Sequence, residues 1–115
     1  MIHRIKAGPR MSQAVVHGKT VYLCGQVARG QSADTGSQTR EILAEVDRLL
    51  AEAGTDKSKV LVATVYLANM STFDEMNAAW EEWVAPGCAP ARATVGALLA
   101  SPKYGVEIVV TAALP

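Results

Sequence analysis

Several strand-like segments of this chain carry almost no charge on either of their alternating faces, and this pattern restricts the fold more than any other feature. VYLCGQV at 21–27 and VLVATVYLAN at 60–69 contain no charged side chain, while RATVGALL at 92–99 and VEIVVTAAL at 106–114 contain one each. A strand with one face in water usually has polar or charged residues on that face. We therefore expect these strands to be covered on both faces.

The first of two predicted amphipathic helices lies in QTREILAEVDRLLAEA, residues 38–53. Its apolar residues recur at i, i+1, i+4, i+7 and i+8, which gives one continuous stripe on a helix. Ser37 or Thr39 is the expected N-cap, because a short side-chain oxygen there accepts a free backbone N–H. Gly54 stands where the helix is expected to end.

The second predicted helix lies in STFDEMNAAWEEWVA, residues 71–85. Ser71 and Asp74 resemble a capping box with a shorter acid. The apolar stripe of this helix consists of Phe73, Met76, Trp80, Trp83 and Val84. Such a stripe indicates packing of the helix against a sheet rather than a cofactor site.

The predicted order of elements is β-β-α-β-α-β-β, an α+β fold whose mixed sheet has the two helices on one face. The first two strands form a hairpin with a two-residue turn at Gly18-Lys19. Two helices of this size cover only one face of such a sheet, so another copy of the chain is the simplest cover for the other face. The length of 115 residues fits a single domain over residues 1–115.

Charge and hydropathy exclude several classes of function. The 11 basic and 11 acidic side chains give zero net charge, and no basic stripe indicates a nucleic-acid partner. MIHRIKAGPR at the start lacks the apolar run of a signal peptide, and no segment approaches the roughly 20 apolar residues of a membrane span. Cys24 and Cys88 lack metal-site spacing. We therefore expect a cytoplasmic protein with reduced thiols, no metal and no membrane partner.

Arg92 and Glu107 are isolated charges on two of the covered strands. A buried arginine is costly unless its guanidinium is paired. Its partner is a protein carboxylate such as Glu107, water reached from a strand edge, or a ligand carboxylate held by two parallel hydrogen bonds. A half-buried Glu107 standing apart from Arg92 is a candidate to align a water as general acid or base. The residues alone leave a structural ion pair and a ligand site open.

Other residues give weaker indications. Gly25-Gln26 places a small residue and an amide on a strand, which suits the approach of a ligand to the backbone, a bulge or close packing. Cys24 is more typical of a small buried residue than of a nucleophile. No Ser/His/Asp order, phosphate-binding loop or HExxH motif is present.

Three segments, taken in order, resemble the Rid family, the reactive intermediate deaminases of the YjgF type. They are SQAVVHGKTVYLCGQVA, QTREILAEVDRLLAEAGTDKSKVLVATVYLANMSTFDEMNAAWEEW and APARATVGALLASPKYGVEIVVTAAL, which run from about Ser12 to Leu114. The matching pieces are short, among them GQ, QT, a helix ending in AG, PAR and VEI. Their order and spacing make the resemblance specific.

The resemblance implies a chorismate mutase-like α+β fold, assembled as a homotrimer with a central barrel and a cleft between each pair of subunits. It implies hydrolysis of enamines and imines such as 2-aminoacrylate to 2-keto acids and ammonia, an activity of the 2-iminobutanoate/2-iminopropanoate deaminase type. The implied ligand is a small imino or keto acid, and neither metal nor cofactor is needed. A ligand-binding or chaperone-like trimer with little turnover is the alternative. Ribonuclease activity, attached to some relatives, finds little support in the neutral charge.

The resemblance also assigns roles to individual residues. The family's carboxylate-binding arginine falls on Arg92, in PAR, and its water-positioning glutamate falls on Glu107, in VEI. The implied substrate-binding positions are Met11, Cys24, Gly25 and Thr94. Of these, Met11 replaces a tyrosine, Cys24 a serine and Thr94 a cysteine of the best-known deaminases. We expect these departures to shift the substrate range or lower the activity, with Thr94 adding a hydroxyl.

Overall fold

A computed structural model describes all residues, 1–115, as a mixed sheet with two α-helices packed on one face. The strands are β1 (Ile2–Ala7), β2 (Ser12–His17), β3 (Thr20–Leu23), β4 (Gln26–Val27), β5 (Val60–Leu67), β6 (Ala91–Gly96) and β7 (Val106–Ala113). The helices are α1 (Thr35–Ala53) and α2 (Phe73–Trp83). Short 3₁₀ turns at Lys57–Lys59 and Met70–Thr72 lead into β5 and α2.

The strands lie side by side in the order β1-β2-β3-β7-β5-β6, and the short β4 also pairs with β7. β5 and β6 run parallel, and every other pair is antiparallel. The parallel pair needs a crossover connection, which α2 provides. The predicted α+β fold, with its mixed sheet and both helices on one face, is therefore confirmed.

Two features of the strands differ from the prediction. β1 was not predicted, because only Ile5 of its six residues is buried and the basic residues around it hide the alternation. The strand predicted at 21–27 is interrupted at Cys24 and Gly25, so that β3 and β4 are separate. The turn at Gly18 is confirmed, since His17 pairs with Thr20 and Gly18 has a φ of 62°.

Helix α1 begins earlier than predicted. Its N-cap is Asp34, whose carboxylate accepts the backbone N–H of Ser37 at 2.7 Å, so the prediction of Ser37 or Thr39 as cap is wrong. The polar loop ahead of the helix hid this start, because its Asp and Ser residues are equally good caps. The predicted stop is confirmed, since Gly54 adopts a left-handed φ of 93° that favours glycine.

Helix α2 begins at Phe73 and does not use the predicted capping box. Ser71 lies in the preceding 3₁₀ turn, where its backbone N–H donates to the Asn69 side chain at 2.9 Å. The cap position Thr72 makes no side-chain capping bond. The apolar stripe is confirmed for Met76, Trp80 and Trp83, which are buried, whereas Phe73 is 36% exposed.

The two faces of the sheet differ in a single chain. The face under α1 and α2 holds the hydrophobic core, with Val21, Ala63, Val65, Ile108 and Val110 almost fully buried. The opposite face is also apolar but open, and Tyr22, Val62 and Val95 are 42–48% exposed. Cover of this face by another copy of the chain stays a prediction. Neither helix has the length and apolar character needed to cross a membrane.

Candidate functional site

Arg92 lies on β6, the edge strand of the sheet, on the side that the helices cover. The strand register places it beside Ala63, which in turn pairs with Val110, and both of these residues are buried in the core. Arg92 itself is partly buried. The sequence-based expectation of a partly covered arginine on a strand therefore agrees with the structure.

The guanidinium of Arg92 packs on α2 and has no carboxylate partner in its own chain. Its central carbon lies 5.1 Å from the centroid of the Trp80 ring, and Nη1 lies 3.8 Å from Met76 Sδ. All ion pairs within 4.0 Å involve other residues, so the Arg92–Glu107 pair that the sequence left open is not formed. Burial lowers the pKa of Arg92, and the nearby Glu81 carboxylate opposes that shift.

An open cavity of about 760 Å³ lies in front of Arg92, between α2 and the loop that leads into β6. Trp80 forms part of its wall, and Asn77 and Glu81 are polar side chains that line it. The sequence analysis did not assign a role to Asn77 or Glu81. Their spacing of four residues on α2 places both on the helix face that borders Arg92, but this required knowing where β6 lies.

Thr94 lies two residues beyond Arg92 on β6, and its side chain points to the same face of the sheet. Its Oγ1 atom is buried and has no hydrogen-bond partner. A buried hydroxyl without a partner costs about 1–3 kcal/mol. The Thr94 hydroxyl therefore forms no hydrogen bond within the chain.

Glu107 lies on β7 and faces the opposite side of the sheet from Arg92. Its neighbours Val106 and Ile108 are buried under the helices, while Glu107 is half-buried on the open face. It lines a separate cavity of about 300 Å³ together with apolar residues that include Tyr66, Leu99 and Val109. Arg92 does not line this cavity, and Glu107 does not line the one at Arg92.

Gly25 makes room for the Glu107 carboxylate. A Cβ atom at Gly25 would overlap Glu107 Oε2 and would lie 3.0 Å from Cδ and 3.3 Å from Cγ. The break between β3 and β4 thus brings a backbone without a side chain against the carboxylate. Of the explanations that the sequence left open for Gly25-Gln26, close packing applies at Gly25; a role in binding substrate stays a prediction.

Cys24 belongs to a small polar cluster next to Gly25. Gln26 Nε2 donates to Cys24 Sγ at 3.3 Å and to Gln13 Oε1 at 3.2 Å, and the Cys24 thiol lies 3.5 Å from the same Gln13 oxygen. Burial is the main cause that raises the pKa of Cys24. A raised pKa lowers the fraction of reactive thiolate, and a role of Cys24 in binding substrate stays a prediction. The roles of Gln13 and Gln26 were not predicted.

Met11 lies at the turn between β1 and β2, and it is 56% exposed. Its carbonyl accepts the N–H of Gly8 at 2.8 Å. The backbone carbonyl of Gln13, two residues after Met11, accepts the backbone N–H of Cys24 at 3.0 Å. Met11 therefore lies at the same end of the sheet as Cys24. No group of three or more His, Cys, Asp or Glu side chains is arranged to hold a metal ion.

The sequence-predicted site residues therefore form two groups within one chain. Arg92 and Thr94 lie on β6 on the helix-covered side. Met11, Cys24, Gly25 and Glu107 lie around the end of β3 and β4 or on the open face. Within one chain, Arg92 and Glu107 line different cavities on opposite faces of the sheet.

Comparison with known proteins gives a consistent picture. The family model described as "Endoribonuclease L-PSP" matches residues 1–114. A RutC family protein of Haemophilus ducreyi is 50% identical over 114 residues, which cover 99% of this chain and 97% of the relative. The RutC family protein YoaB of Escherichia coli K12 is 45% identical over 113 residues, 98% of each chain. A YjgF-family crystal structure from Neisseria meningitidis has a TM-score of 0.98 at 43% identity and covers 100% of this chain and 96% of its own.

Proposed function

The chain belongs to the Rid family of YjgF-type and RutC-type proteins, and on that premise we propose that it is an enamine/imine deaminase. The proposed reaction is hydrolysis of small 2-imino acids, such as those derived from 2-aminoacrylate, to 2-keto acids and ammonia. The proposed protein is a single Rid domain over residues 1–115 that works in the cytoplasm as a homotrimer. Its proposed ligand is a small imino or keto acid.

The unpaired guanidinium of Arg92 is the observation that carries this proposal. The contacts of Arg92 within its own chain are a cation–π contact with Trp80 and a weak hydrogen bond from Nη1 to Met76 Sδ, which leave most of its five N–H donors without a partner. The remaining N–H groups are free to donate two parallel hydrogen bonds to a ligand carboxylate. A 2-imino acid has such a carboxylate directly beside its C=N carbon, so anchoring one fixes the other.

Glu107 supplies the second proposed role, that of positioning and activating a water. The water oxygen bonds to the C=N carbon as the C=N π electrons move to nitrogen, one water proton passes to the carboxylate, and the nitrogen takes up a proton from solvent to give a carbinolamine. The nitrogen then takes the proton from the Glu107 carboxyl and the C–N bond breaks to release ammonia, while the hydroxyl loses its proton to solvent and becomes the keto oxygen. Holding a small acid beside a positioned water accelerates hydrolysis mainly by proximity and orientation.

The trimer is supported by the separation of Arg92 and Glu107 within one chain. The two residues line different cavities on opposite faces of the sheet. The open face, with Tyr22, Val62 and Val95 exposed, provides apolar surface for contact between copies. Light scattering is expected to give three times the 12.2 kDa of one chain, and a mass of 12.2 kDa would contradict the proposal.

The test is a coupled assay in which a serine dehydratase generates 2-aminoacrylate and pyruvate formation is followed with and without this protein. We expect the wild-type protein to accelerate pyruvate formation and Arg92→Ala to lose most of that acceleration. The matched control is Arg40→Ala, which removes a surface arginine paired with Glu82 at 3.1 Å. Equal acceleration by the wild type and Arg92→Ala would contradict the proposed role. Ligand binding without ammonia release would favour the alternative of a binding or chaperone-like trimer.

A second candidate function is the endoribonuclease activity named in the description of the matching family model. The neutral net charge predicted no nucleic-acid partner, but the charges are unevenly spread. Residues 1–33 contain five basic side chains and no acidic one: Arg4, Lys6, Arg10, Lys19 and Arg29. Cationic side chains attract phosphate groups, but Lys6 already lies 3.8 Å from Glu52, and Arg29 lines a cavity together with Glu41 and Glu45. Incubation with a single-stranded RNA under the same conditions distinguishes the two functions, because the proposed deaminase leaves the RNA intact.

A further inference from the structure

The side chain of Gln38, in the first turns of α1, connects the two loops at one end of β4 and β7. Its Oε1 atom accepts the backbone N–H of Gly105 at 2.9 Å. Its Nε2 atom donates to the carbonyl oxygens of Lys103 at 3.0 Å, Ser32 at 3.1 Å and Ala33 at 3.4 Å. Gln38 is only 2% exposed, so these bonds replace all its contact with water. The QT pair singled out in the sequence thus has a structural task.

The position of these loops links Gln38 to Glu107. Glu107 pairs with Val27 at the last register position of the β4–β7 pair, and Gly105 is two residues before it. The Gly105 peptide is held from both sides, since its carbonyl accepts the N–H of Ala68 at 3.0 Å. Gly105 is also closely packed, because a Cβ atom there would lie 2.8 Å from Thr35 Oγ1. The start of β7 is therefore fixed by hydrogen bonds rather than by apolar packing alone.

We propose that Gln38 is a positioning residue that holds the Glu107 carboxylate in place by clamping the β4 and β7 loops together. This inference rests on the proposed function for its catalytic consequence. A neutral amide is required at position 38, because a single side chain must there donate to carbonyl oxygens and accept a backbone N–H. Loss of the donors leaves buried carbonyl oxygens without partners and lets the two loops separate.

Gln38→Glu makes this requirement visible as a pH dependence. A protonated carboxyl can donate to one carbonyl and accept from Gly105. A carboxylate has no donor and is repelled by the carbonyl oxygens of Lys103 and Ser32, which displaces the side chain from Gly105 as well. Burial raises the pKa of such a carboxyl. The variant keeps its clamp at low pH and loses it as the pH rises. The surrounding titratable groups are Asp34 at the N-cap of α1, Glu41 within α1, Arg29 in the first loop, and Lys103 and Tyr104 in the second.

The experiment compares kcat and KM of wild type, Gln38→Glu and Gln31→Glu between pH 5.5 and 8.5, at a temperature where circular dichroism shows each protein folded. Gln31 is an exposed glutamine of the same loop, so its substitution adds the charge without removing the clamp. We expect kcat of Gln38→Glu to approach that of the wild type at pH 5.5 and to fall at least about tenfold below it at pH 8.5. KM should stay within about twofold, because the carboxylate anchor Arg92 lies on a different strand.

Amide exchange separates a failure of this inference from a failure of the proposed function. Exchange at Gly105 and Val106 should be faster in Gln38→Glu than in the wild type at high pH, and equal at low pH, whether or not the protein is a deaminase. Unchanged exchange at high pH would overturn the clamp. A parallel change of kcat and KM, or a kcat that follows the wild type at every pH, would overturn the positioning of Glu107. An inactive wild type with pH-dependent exchange would leave the clamp standing and reject the deaminase.

Discussion

Replacing Gly25 by alanine is expected to abolish most activity while leaving the fold intact. The new Cβ would overlap Glu107 Oε2 and lie 3.0 Å from the carboxyl carbon Cδ. Non-bonded carbon atoms are comfortable at about 3.5–4.0 Å, so the carboxyl carbon must retreat by about 0.5–1 Å and the overlapped oxygen by more. Because the atoms that move are the far end of a flexible side chain, the backbone of β3 and β4 need not shift.

The expected magnitude follows from this displacement. A misplacement of about 1 Å in a catalytic arrangement can cost roughly 100-fold in rate, which corresponds to about 2.7 kcal/mol of transition-state stabilisation. The free energy of unfolding should change by less than about 1 kcal/mol, since no core contact is lost and the unfolded chain becomes slightly less flexible. Gly25→Ala therefore separates the position of the carboxylate from the stability of the fold.

The assay is the coupled 2-aminoacrylate reaction, with thermal denaturation as the measure of stability. Gly8→Ala is the matched control, because its Cβ would meet only the Met11 carbonyl oxygen at an ordinary 3.5 Å. In a Glu107→Gln background, Gly25→Ala should add little further loss, since both changes remove the same positioned carboxylate. Full activity of Gly25→Ala, or losses that add completely in the double variant, would refute the reasoning.

Three further substitutions test other parts of the site and its frame. Trp80→Leu should raise KM by about two- to thirtyfold, since a cation–π contact with Arg92 is worth roughly 0.5–2 kcal/mol. Trp80→Phe should keep most of the affinity, and steady-state kinetics measure both effects. Thr94→Val should raise the free energy of unfolding, measured by urea denaturation, by about 1 kcal/mol, because it removes a buried hydroxyl without a partner. A loss of stability would instead indicate that the hydroxyl has a partner in the assembly. Hydrogen bonds from the Gly30 N–H and the Ser32 hydroxyl lower the pKa of Glu41 in the folded protein. The ionised carboxylate therefore stabilises the fold at pH values above its unfolded pKa, and this stabilisation is lost as the pH falls through the folded pKa. The midpoint temperature of thermal denaturation should accordingly fall less steeply with decreasing pH for Glu41→Gln than for the wild type.

Local patterns in the sequence predicted those elements whose determinants are local. The apolar stripes of α1 and α2, the stop at Gly54 and the turn at Gly18 each depend on a few neighbouring residues. The N-cap was misplaced because Asp34, Ser37 and Thr39 compete within six residues, and only the position of the first turn selects among them. β1 was missed because it is an edge strand with one buried side chain, so its pairing with β2 leaves little trace in its own sequence.

Candidate site residues could be named from the sequence, but their arrangement could not. An isolated Arg92 and an isolated Glu107 were visible in the sequence, and the family resemblance suggested their roles. Their faces are set by the register of β5 with β6 and β7, which pairs Arg92 with Ala63 and Glu107 with Tyr66. This register depends on contacts between distant parts of the chain, so no local pattern encodes it.

The two charged groups are each supported without being neutralised, and this shared property is what makes a ligand site plausible in physical terms. An acid bonded permanently to Arg92 would have to be displaced by every incoming carboxylate, so part of the ligand's binding energy would be used to separate that pair. The Trp80 ring and the Met76 sulfur attract the cation without occupying most of its hydrogen-bond donors, because sulfur is a weak acceptor and the ring acts through its quadrupole. Glu107 is accommodated because Gly25 has no side chain that would clash with the carboxylate, and Gly25 supplies no positive charge to neutralise it. Each half of the site thus holds one charge ready for a partner, and in the proposed trimer that partner is a ligand held between two chains.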